Sequence, residues 1–135
     1  MNIKELNILK KEASDDLTIT DANILDKARE APYLFQKYLS FFLRESMILK
    51  KQKIELDKIY ADLYKFYKED YSRELNKGDI EYYINKDESY YTKNNEYQIQ
   101  ESICMYLESI VKRANGLSFD VKNYIDLKLF MAGSK

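Results

Sequence analysis

Apolar residues recur at seven-residue spacing through the middle of the chain, at Phe35, Phe42, Leu49, Leu56 and Leu63. Seven residues are nearly two turns of an α-helix, so all five side chains lie along one face. A helix with so long an apolar seam must pair with another helix, with further subunits, or with both. The spacing therefore predicts one long helix, with Phe42, Leu49, Leu56 and Leu63 as its core or subunit contact.

Basic residues follow the same spacing on the opposite face, at Lys37, Arg44, Lys51, Lys58 and Lys65. We call this row the basic ridge. It spans about 42 Å of helix, a length that suits an extended polyanion better than a compact ligand. The alternative interpretation is a solvated coiled-coil face, where lysine is a common residue.

Few helix breakers interrupt the sequence, which contains one proline and three glycines. This scarcity predicts an all-α protein. Helices are expected over Ile3–Ala13, from Thr20 or Asp21 to Ala31, over Pro32–Leu75, Asp87–Ala114 and Phe119–Met131, with a loop at residues 14–20 and a turn at residues 76–79. The expected architecture is a long antiparallel helical hairpin with short N- and C-terminal helices, in a single domain over residues 1–135.

The ends of three expected helices show specific signals. Pro32 fits a first helical turn, where its missing N–H is not needed. Asn115 and Gly116 predict a stop in the left-handed conformation, and Ser118 predicts the cap of the final helix. The buried face of that helix is expected to contain Val121, Ile125 and Leu129.

Composition excludes several function classes. The chain has no histidine and one cysteine, Cys104, so the commonest general base and a structural zinc site are absent and no intramolecular disulfide can form. No glycine-rich phosphate loop is present, and the carboxylates alternate with lysines on exposed faces. We expect no enzyme activity, no metal and no cofactor. No apolar run approaches the length of a membrane span and the start does not resemble a signal peptide, which predicts a cytoplasmic protein without membrane contact.

Charge is balanced overall at −1 but unevenly distributed. Residues 37–77 carry net +3 and residues 109–135 net +3, whereas residues 78–108 carry net −5. Phosphate contacts are therefore expected in the two basic segments. The acidic segment is expected to face a protein partner or water.

Cations alternate with tyrosines in the stretch DKIYADLYKFYKEDYSR, residues 57–73. Proteins that bind single strands combine cations for the phosphates with aromatic rings for the bases. Tyr60 and Tyr67 fall in the apolar seam and are expected in the core, whereas Tyr64 and Tyr71 are placed to reach solvent. Lys68 extends the basic ridge within the same stretch.

The C-terminal third, YQIQESICMYLESIVKRANGLSFDVKNYIDLKLFMAGS, resembles the end of the phage UvsY family of recombination mediator proteins. The shared features are a helix that ends in LESIVK, a polar break, the helix start FDVKN, then Ile125, Asp126 and Phe130 and a small-residue step at Gly133. The lengths of the preceding helices also match, so the resemblance extends over nearly the whole chain and is most specific in its last forty residues.

The resemblance implies a non-enzymatic protein that binds single-stranded DNA and assembles into a ring of six or seven subunits. Such a protein helps a RecA-like phage recombinase replace the phage single-stranded-DNA-binding protein on DNA, in the cytoplasm of the infected host. Two features depart from the family. The basic pair that contacts DNA in the family corresponds here to the stretch near Ala61, Asp62 and Leu63, which carries no cation. A glycine turn after the paired aromatics Phe66 and Tyr67 is also missing.

The DNA contacts are therefore predicted from the basic ridge. We expect Lys51, Lys58 and Lys65 to contact phosphates, with Arg44 and Lys68 in support. Secondary candidates are Tyr64, Lys112, Arg113 and Lys122. The alternative function is a helical structural or assembly protein that binds no DNA.

Overall fold

The computed structural model describes residues 1–133 and is helical, with no strand among these residues. The five α-helices are α1 (Ile3–Leu17), α2 (Ile24–Lys65), α3 (Lys77–Lys86), α4 (Glu88–Asn115) and α5 (Leu117–Met131). A π-helical segment, Phe66–Asp70, directly follows α2. The all-α prediction is confirmed. The prediction of a single domain over residues 1–135 includes two residues, 134 and 135, that lie outside the described part of the chain.

The chain forms two compact units. Unit 1 comprises Met1–Arg44 together with the chain from Ile103 onward, and unit 2 comprises Glu45–Ser102. The core of unit 1 is built from buried side chains of α1, the first part of α2, the second part of α4 and the start of α5. These residues are Leu6, Leu9, Ala13, Leu17, Ala31, Leu34, Tyr38, Ile103, Leu107, Ile110, Ala114, Leu117 and Val121.

Helix α1 is longer than predicted, because residues 14–17 continue the helix instead of opening the expected loop. Leu17 is buried in the core of unit 1. Asp16 accepts hydrogen bonds from Lys37 Nζ at 2.8 Å and from the Tyr38 hydroxyl at 2.6 Å. These tertiary contacts outweigh the low helix propensity of the sequence SDD, which favoured a loop.

Helix α2 passes through Pro32, whereas the sequence predicted a new helix starting there. Proline cannot donate to the carbonyl of Ala28, but both residues are exposed, so water can satisfy that carbonyl. On the opposite side, Ala31 and Leu34 are buried in the core of unit 1. Their burial keeps the helix continuous at the cost of one backbone hydrogen bond.

The start of α2 is capped by a reciprocal pair of hydrogen bonds. The Thr20 N–H donates to Asn23 Oδ1 at 2.8 Å, and the Asn23 N–H donates to Thr20 Oγ1 at 3.2 Å. The predicted start near Thr20 is therefore correct to within a few residues.

The α-helical part of α2 ends at Lys65, ten residues before the predicted end at Leu75, and the π-helical segment follows. The predicted turn at Asn76–Asp79 is also wrong, since α3 begins there. Asn76 caps α3 by accepting a 2.8 Å hydrogen bond from the Asp79 N–H. An asparagine two residues before a glycine fits a turn or a helix cap equally well, and burial of Ile80 and Ile84 favours the helix.

Within unit 2, the second part of α2 and the first part of α4 run antiparallel. Along α2, Glu45 contacts Gln100, Lys53 contacts Tyr97 and Tyr60 contacts Tyr90. Gln100 Nε2 donates to the Glu45 carbonyl at 3.0 Å and to the Glu45 carboxylate at 3.3 Å, and both side chains are buried. A polar pair at a buried position favours one alignment of the two helices, because other alignments leave its groups without these bonds.

The junction between α4 and α5 differs from the prediction. Gly116 has φ −85° and ψ −3°, which is right-handed, so no left-handed stop forms. Ser118 lies inside α5. Val121 is buried as predicted, but Ile125 and Leu129 are 38% and 40% exposed, because burial in α5 is confined to its first turns, at Leu117 and Val121.

The contribution of the Tyr38 hydroxyl to stability can be tested by substitution. Substitution Tyr38→Phe removes the 2.6 Å hydrogen bond to Asp16 and leaves the ring in place. Because the acceptor is charged, we expect the free energy of unfolding at pH 7 to fall by about 1.5–3 kcal/mol. Urea denaturation at one fixed protein concentration measures this value. Tyr33→Phe, at an exposed ring, is the matched control and should change it by less than about 0.5 kcal/mol.

The loss of stability caused by Tyr38→Phe should depend on pH. Burial raises the pKa of Asp16, but the hydrogen bonds from Lys37 and Tyr38 outweigh burial and leave the pKa below its ordinary value of 3.8. A lowered pKa means that this stabilisation is present above 3.8 and is lost as the pH falls through the folded-state pKa. The difference between wild type and Tyr38→Phe should therefore shrink below pH 3.8. If the difference in unfolding free energy stays constant across that range, the hydrogen bond from Tyr38 is not what lowers the pKa of Asp16.

Gly116 provides a backbone test. A Cβ at this position would meet its nearest neighbours, two backbone carbonyls, at 3.7 Å, which is ordinary contact. Because the backbone is already right-handed, Gly116→Ala should raise the free energy of unfolding by about 0.4–1 kcal/mol. Gly133→Ala, at φ 76°, is the control and should not stabilise. Destabilisation by Gly116→Ala would show that the residue adopts the left-handed conformation instead.

Candidate nucleic-acid interface

Three lysines of the basic ridge lie on the part of α2 that belongs to unit 2. Lys51, Lys58 and Lys65 are exposed, and no carboxylate within residues 1–133 forms an ion pair with any of them. Successive members are about 10.5 Å apart along the helix. Their ammonium groups can therefore be contacted by an external anion without first breaking an internal pair.

The ridge residue Lys37 has a different environment. Lys37 lies in unit 1, is partly buried, and pairs with Glu12 at 2.6 Å and Asp16 at 2.8 Å. Burial lowers the pKa of Lys37, but the hydrogen bonds that its ammonium group donates to Asp16 and Glu12 raise the pKa by more, so the net shift is upward. Lys37 therefore serves the core of unit 1, and the sequence pattern did not reveal this because Glu12 and Asp16 lie on another helix.

Arg44 and Lys68 were predicted to support the ridge. Arg44 is exposed, lies in unit 1 and places its guanidinium 5.2 Å from the centre of the Phe41 ring. Lys68 is exposed on the π-helical segment of unit 2, one turn beyond Lys65. The structure thus groups Lys68 with Lys51, Lys58 and Lys65 in one unit.

Lys53 lies on the same helix but outside the ridge, and it forms an ion pair. Its ammonium group is 3.2 Å from Asp57 and 5.7 Å from the centre of the Tyr97 ring. The hydrogen bond to Asp57 raises the pKa of Lys53. Because the charges of Lys53 and Asp57 cancel each other, the negative charge of Asp57 weakens the positive potential of the ridge less than an unpaired carboxylate would.

The secondary candidates are divided between the two units. Lys112, Arg113 and Lys122 are exposed in unit 1, and Lys112 lies 3.7 Å from Glu108. Tyr64, in unit 2, is partly buried and stacks on Tyr60 with ring centres 6.3 Å apart. Tyr64 is therefore less open to solvent than its register predicted.

A group of five aromatic rings lies at the end of unit 2 that contains the π-helical segment. We call it the aromatic cluster: Phe66, Tyr67, Tyr71, Tyr82 and Tyr83. Sequence reasoning did not assemble it, because the sequence predicted a turn at residues 76–79, where α3 begins. The available signal was two adjacent aromatic pairs, Phe66–Tyr67 and Tyr82–Tyr83, on either side of a short connection.

The predicted seam of α2 is only partly covered. Leu56 is buried, whereas Phe42, Leu49 and Leu63 are partly exposed. Further large apolar side chains are exposed on α2 and α5, namely Leu43, Met47, Ile54, Phe119, Leu127, Phe130 and Met131. These exposed apolar side chains are available for contact with other proteins or with further copies of the chain.

Neither a metal site nor a membrane span was found within residues 1–133. Histidine, cysteine, aspartate and glutamate side chains form no group of three there that could hold a metal ion. No helix in that range combines the length and the apolar character needed to cross a bilayer.

The sequence profile described as "Recombination, repair and ssDNA binding protein UvsY" matches residues 12–134. The chain belongs to the UvsY family. Membership places it in a family of phage recombination and repair proteins, as the C-terminal residues had indicated. A search of curated proteins finds no match.

The UvsY fold is also found by structural comparison. Two crystal structures of the bacteriophage T4 recombination mediator protein UvsY, in different lattice types, superpose on the chain with TM-scores of 0.79 and 0.84. Their identities to this chain are 13% and 14%, and the alignments cover 93% and 98% of this chain and 98% of each T4 chain. The fold is therefore shared at very low sequence identity.

Proposed function

We propose that this UvsY-family protein is a recombination mediator that binds single-stranded DNA as a homo-oligomer. It would load a RecA-like phage recombinase onto DNA covered by the phage single-stranded-DNA-binding protein, in the cytoplasm of the infected host. The observation that carries the proposal is the row of exposed Lys51, Lys58 and Lys65, without an ion pair in the described chain. Family membership supports it.

The DNA site is proposed in unit 2. Lys51, Lys58 and Lys65 would contact phosphates of the bound strand, and Lys68 would extend the row onto the π-helical segment. Arg44 would support binding from unit 1, and Lys112, Arg113, Lys122 and Tyr64 are secondary positions. Phosphate contacts carry no base information, so these lysines would bind DNA without regard to sequence.

A homo-oligomeric ring of six or seven subunits is part of the proposal. The exposed apolar residues on α2 and α5 would supply the contacts between subunits. A ring would place several lysine rows around one axis, so each subunit can bind weakly while the assembly binds tightly. No catalytic step is proposed, since mediation requires only binding and exchange.

Substitution Lys58→Ala with Lys65→Ala tests the DNA site. We expect weaker binding of a fluorescent oligo(dT), and a plot of log affinity against log salt whose slope is smaller by about 1.4, or 0.7 for each lost phosphate contact. The matched control is Lys4→Ala with Lys11→Ala, which removes the same charge from exposed positions on α1. An unchanged slope in the Lys58 and Lys65 variant removes the row from the DNA site.

The same titration separates the two candidate functions. Wild-type protein that fails to bind oligo(dT) at micromolar concentration and low salt is a structural or assembly protein. The acidic segment 78–108 and the exposed apolar residues would then serve protein contacts.

Native mass spectrometry tests the assembly. With a chain of 16.2 kDa, we expect a species of six or seven subunits at micromolar concentration. A single charge-state series for the monomer, persisting as the concentration is raised, contradicts the ring. The measurement needs no DNA, so its result is independent of the titration.

A further inference from the structure

The aromatic cluster is a connected set of ring contacts. Tyr67 lies at its centre, with ring centres 5.1 Å from Phe66, 5.4 Å from Tyr71 and 5.5 Å from Tyr83. The Tyr67 and Tyr83 rings are nearly parallel, at 20°. Tyr82 joins the cluster through Tyr83, at 5.9 Å. Each ring is held by at least one neighbour, so the cluster is preorganised.

The two ends of this chain of contacts are open. Phe66 is 45% exposed and Tyr82 is 61% exposed, whereas Tyr67, Tyr71 and Tyr83 between them are partly buried. Phe66 begins the π-helical segment, a conformation found frequently at functional sites. The inner rings therefore support two outer rings whose faces or edges remain accessible.

Cations lie against the rings. Lys86 Nζ is 5.7 Å from the centre of the Tyr82 ring, and Arg73 Nη2 donates to the Tyr83 hydroxyl at 3.3 Å. Lys65, the last residue of the lysine row, directly precedes Phe66 in the chain. A ligand that binds at the aromatic cluster must therefore be able to contact both aromatic rings and positively charged side chains.

Acidic residues balance these cations. Residues 65–86 contain five basic side chains (Lys65, Lys68, Arg73, Lys77 and Lys86) and five acidic ones (Glu69, Asp70, Glu74, Asp79 and Glu81). This end of unit 2 consequently adds little net charge to the lysine row. Its distinctive property is the exposed aromatic surface.

We propose that the aromatic cluster is a base-stacking site for single-stranded DNA, in which Phe66 and Tyr82 each stack on an unpaired base of the strand bound by the lysine row. This inference rests on the proposed DNA-binding function and deepens it. The lysine row supplies charge and the aromatic cluster supplies contact with the bases. Duplex DNA presents no free base face, so the aromatic cluster would favour single strands.

The test is the double variant Phe66→Ala with Tyr82→Ala in the full-length chain. We expect its affinity for oligo(dT) to fall at least about 30-fold, because each lost base stack lowers the affinity by about 5-fold or more. The slope of log affinity against log salt should stay at the wild-type value, because no phosphate contact is removed. The control is Tyr91→Ala, at a tyrosine of unit 2 that is 59% exposed and makes no ring contact within residues 1–133.

A second variant guards against loss of folding. Phe66→Leu with Tyr82→Leu keeps apolar side chains at both positions but removes the aromatic faces. We expect it to lose nearly as much affinity as the alanine variant while retaining the wild-type helical circular dichroism. Wild-type affinity in this leucine variant overturns the proposal, since apolar contact would then be sufficient.

An abasic strand of the same length separates this proposal from the one on which it rests. Wild type should bind the abasic strand more weakly than oligo(dT), and the Phe66 and Tyr82 variants should bind it as wild type does. An equal loss on both strands overturns base stacking and leaves the lysine row intact. An altered native mass with unchanged DNA affinity assigns these rings to a subunit contact and also overturns it. Failure of the proposed lysine row instead shows as an unchanged salt slope in the Lys58 and Lys65 variant on both strands.

Discussion

Burial of the apolar side of α2 is the constraint on which both units depend. In unit 1, Ala31, Leu34 and Tyr38 are buried and carry the helix past Pro32 without a break. In unit 2, Leu56 is buried between the turns that carry Lys51 and Lys58. Because the helix is fixed by its apolar side, the residues opposite are held towards solvent at regular intervals. The exposed lysine row follows from that geometry.

Position in the tertiary structure, rather than residue type, separates the lysines of the ridge. Lys37 and Lys58 have the same spacing and charge, yet Lys37 pairs with two carboxylates of α1. Lys58 has no such pair in the described chain. A paired lysine contributes to the fold, and an unpaired one can contribute to binding without breaking an internal contact. The proposed DNA site is therefore shorter than the sequence pattern and lies in unit 2.

The missing glycine after Phe66 and Tyr67 has a structural counterpart. Where the resemblance to the family predicts a glycine turn, the chain continues as a π-helical segment, in which Phe66 contacts Tyr71 and Tyr67 contacts Tyr83. Burial raises the pKa of Tyr67, as do Asp87 and the neighbouring tyrosines. The departure from the family pattern thus coincides with the aromatic cluster. This coincidence connects a local sequence difference to a site that the lysine spacing alone did not suggest.

The sequence by itself determined the helical class, the long amphipathic helix, the family and the α4 boundaries, because these follow from periodicity, few breakers and local motifs. Only the tertiary structure decided that residues 14–17 are helical, that Pro32 lies within α2, and that α3 replaces a turn. Those outcomes depend on contacts between residues far apart in the chain, such as Asp16 with Tyr38. The same reason applies to the candidate site. The spacing placed the lysines on one face of the helix, but only the packing of the helices showed which of them form ion pairs with carboxylates of the same chain.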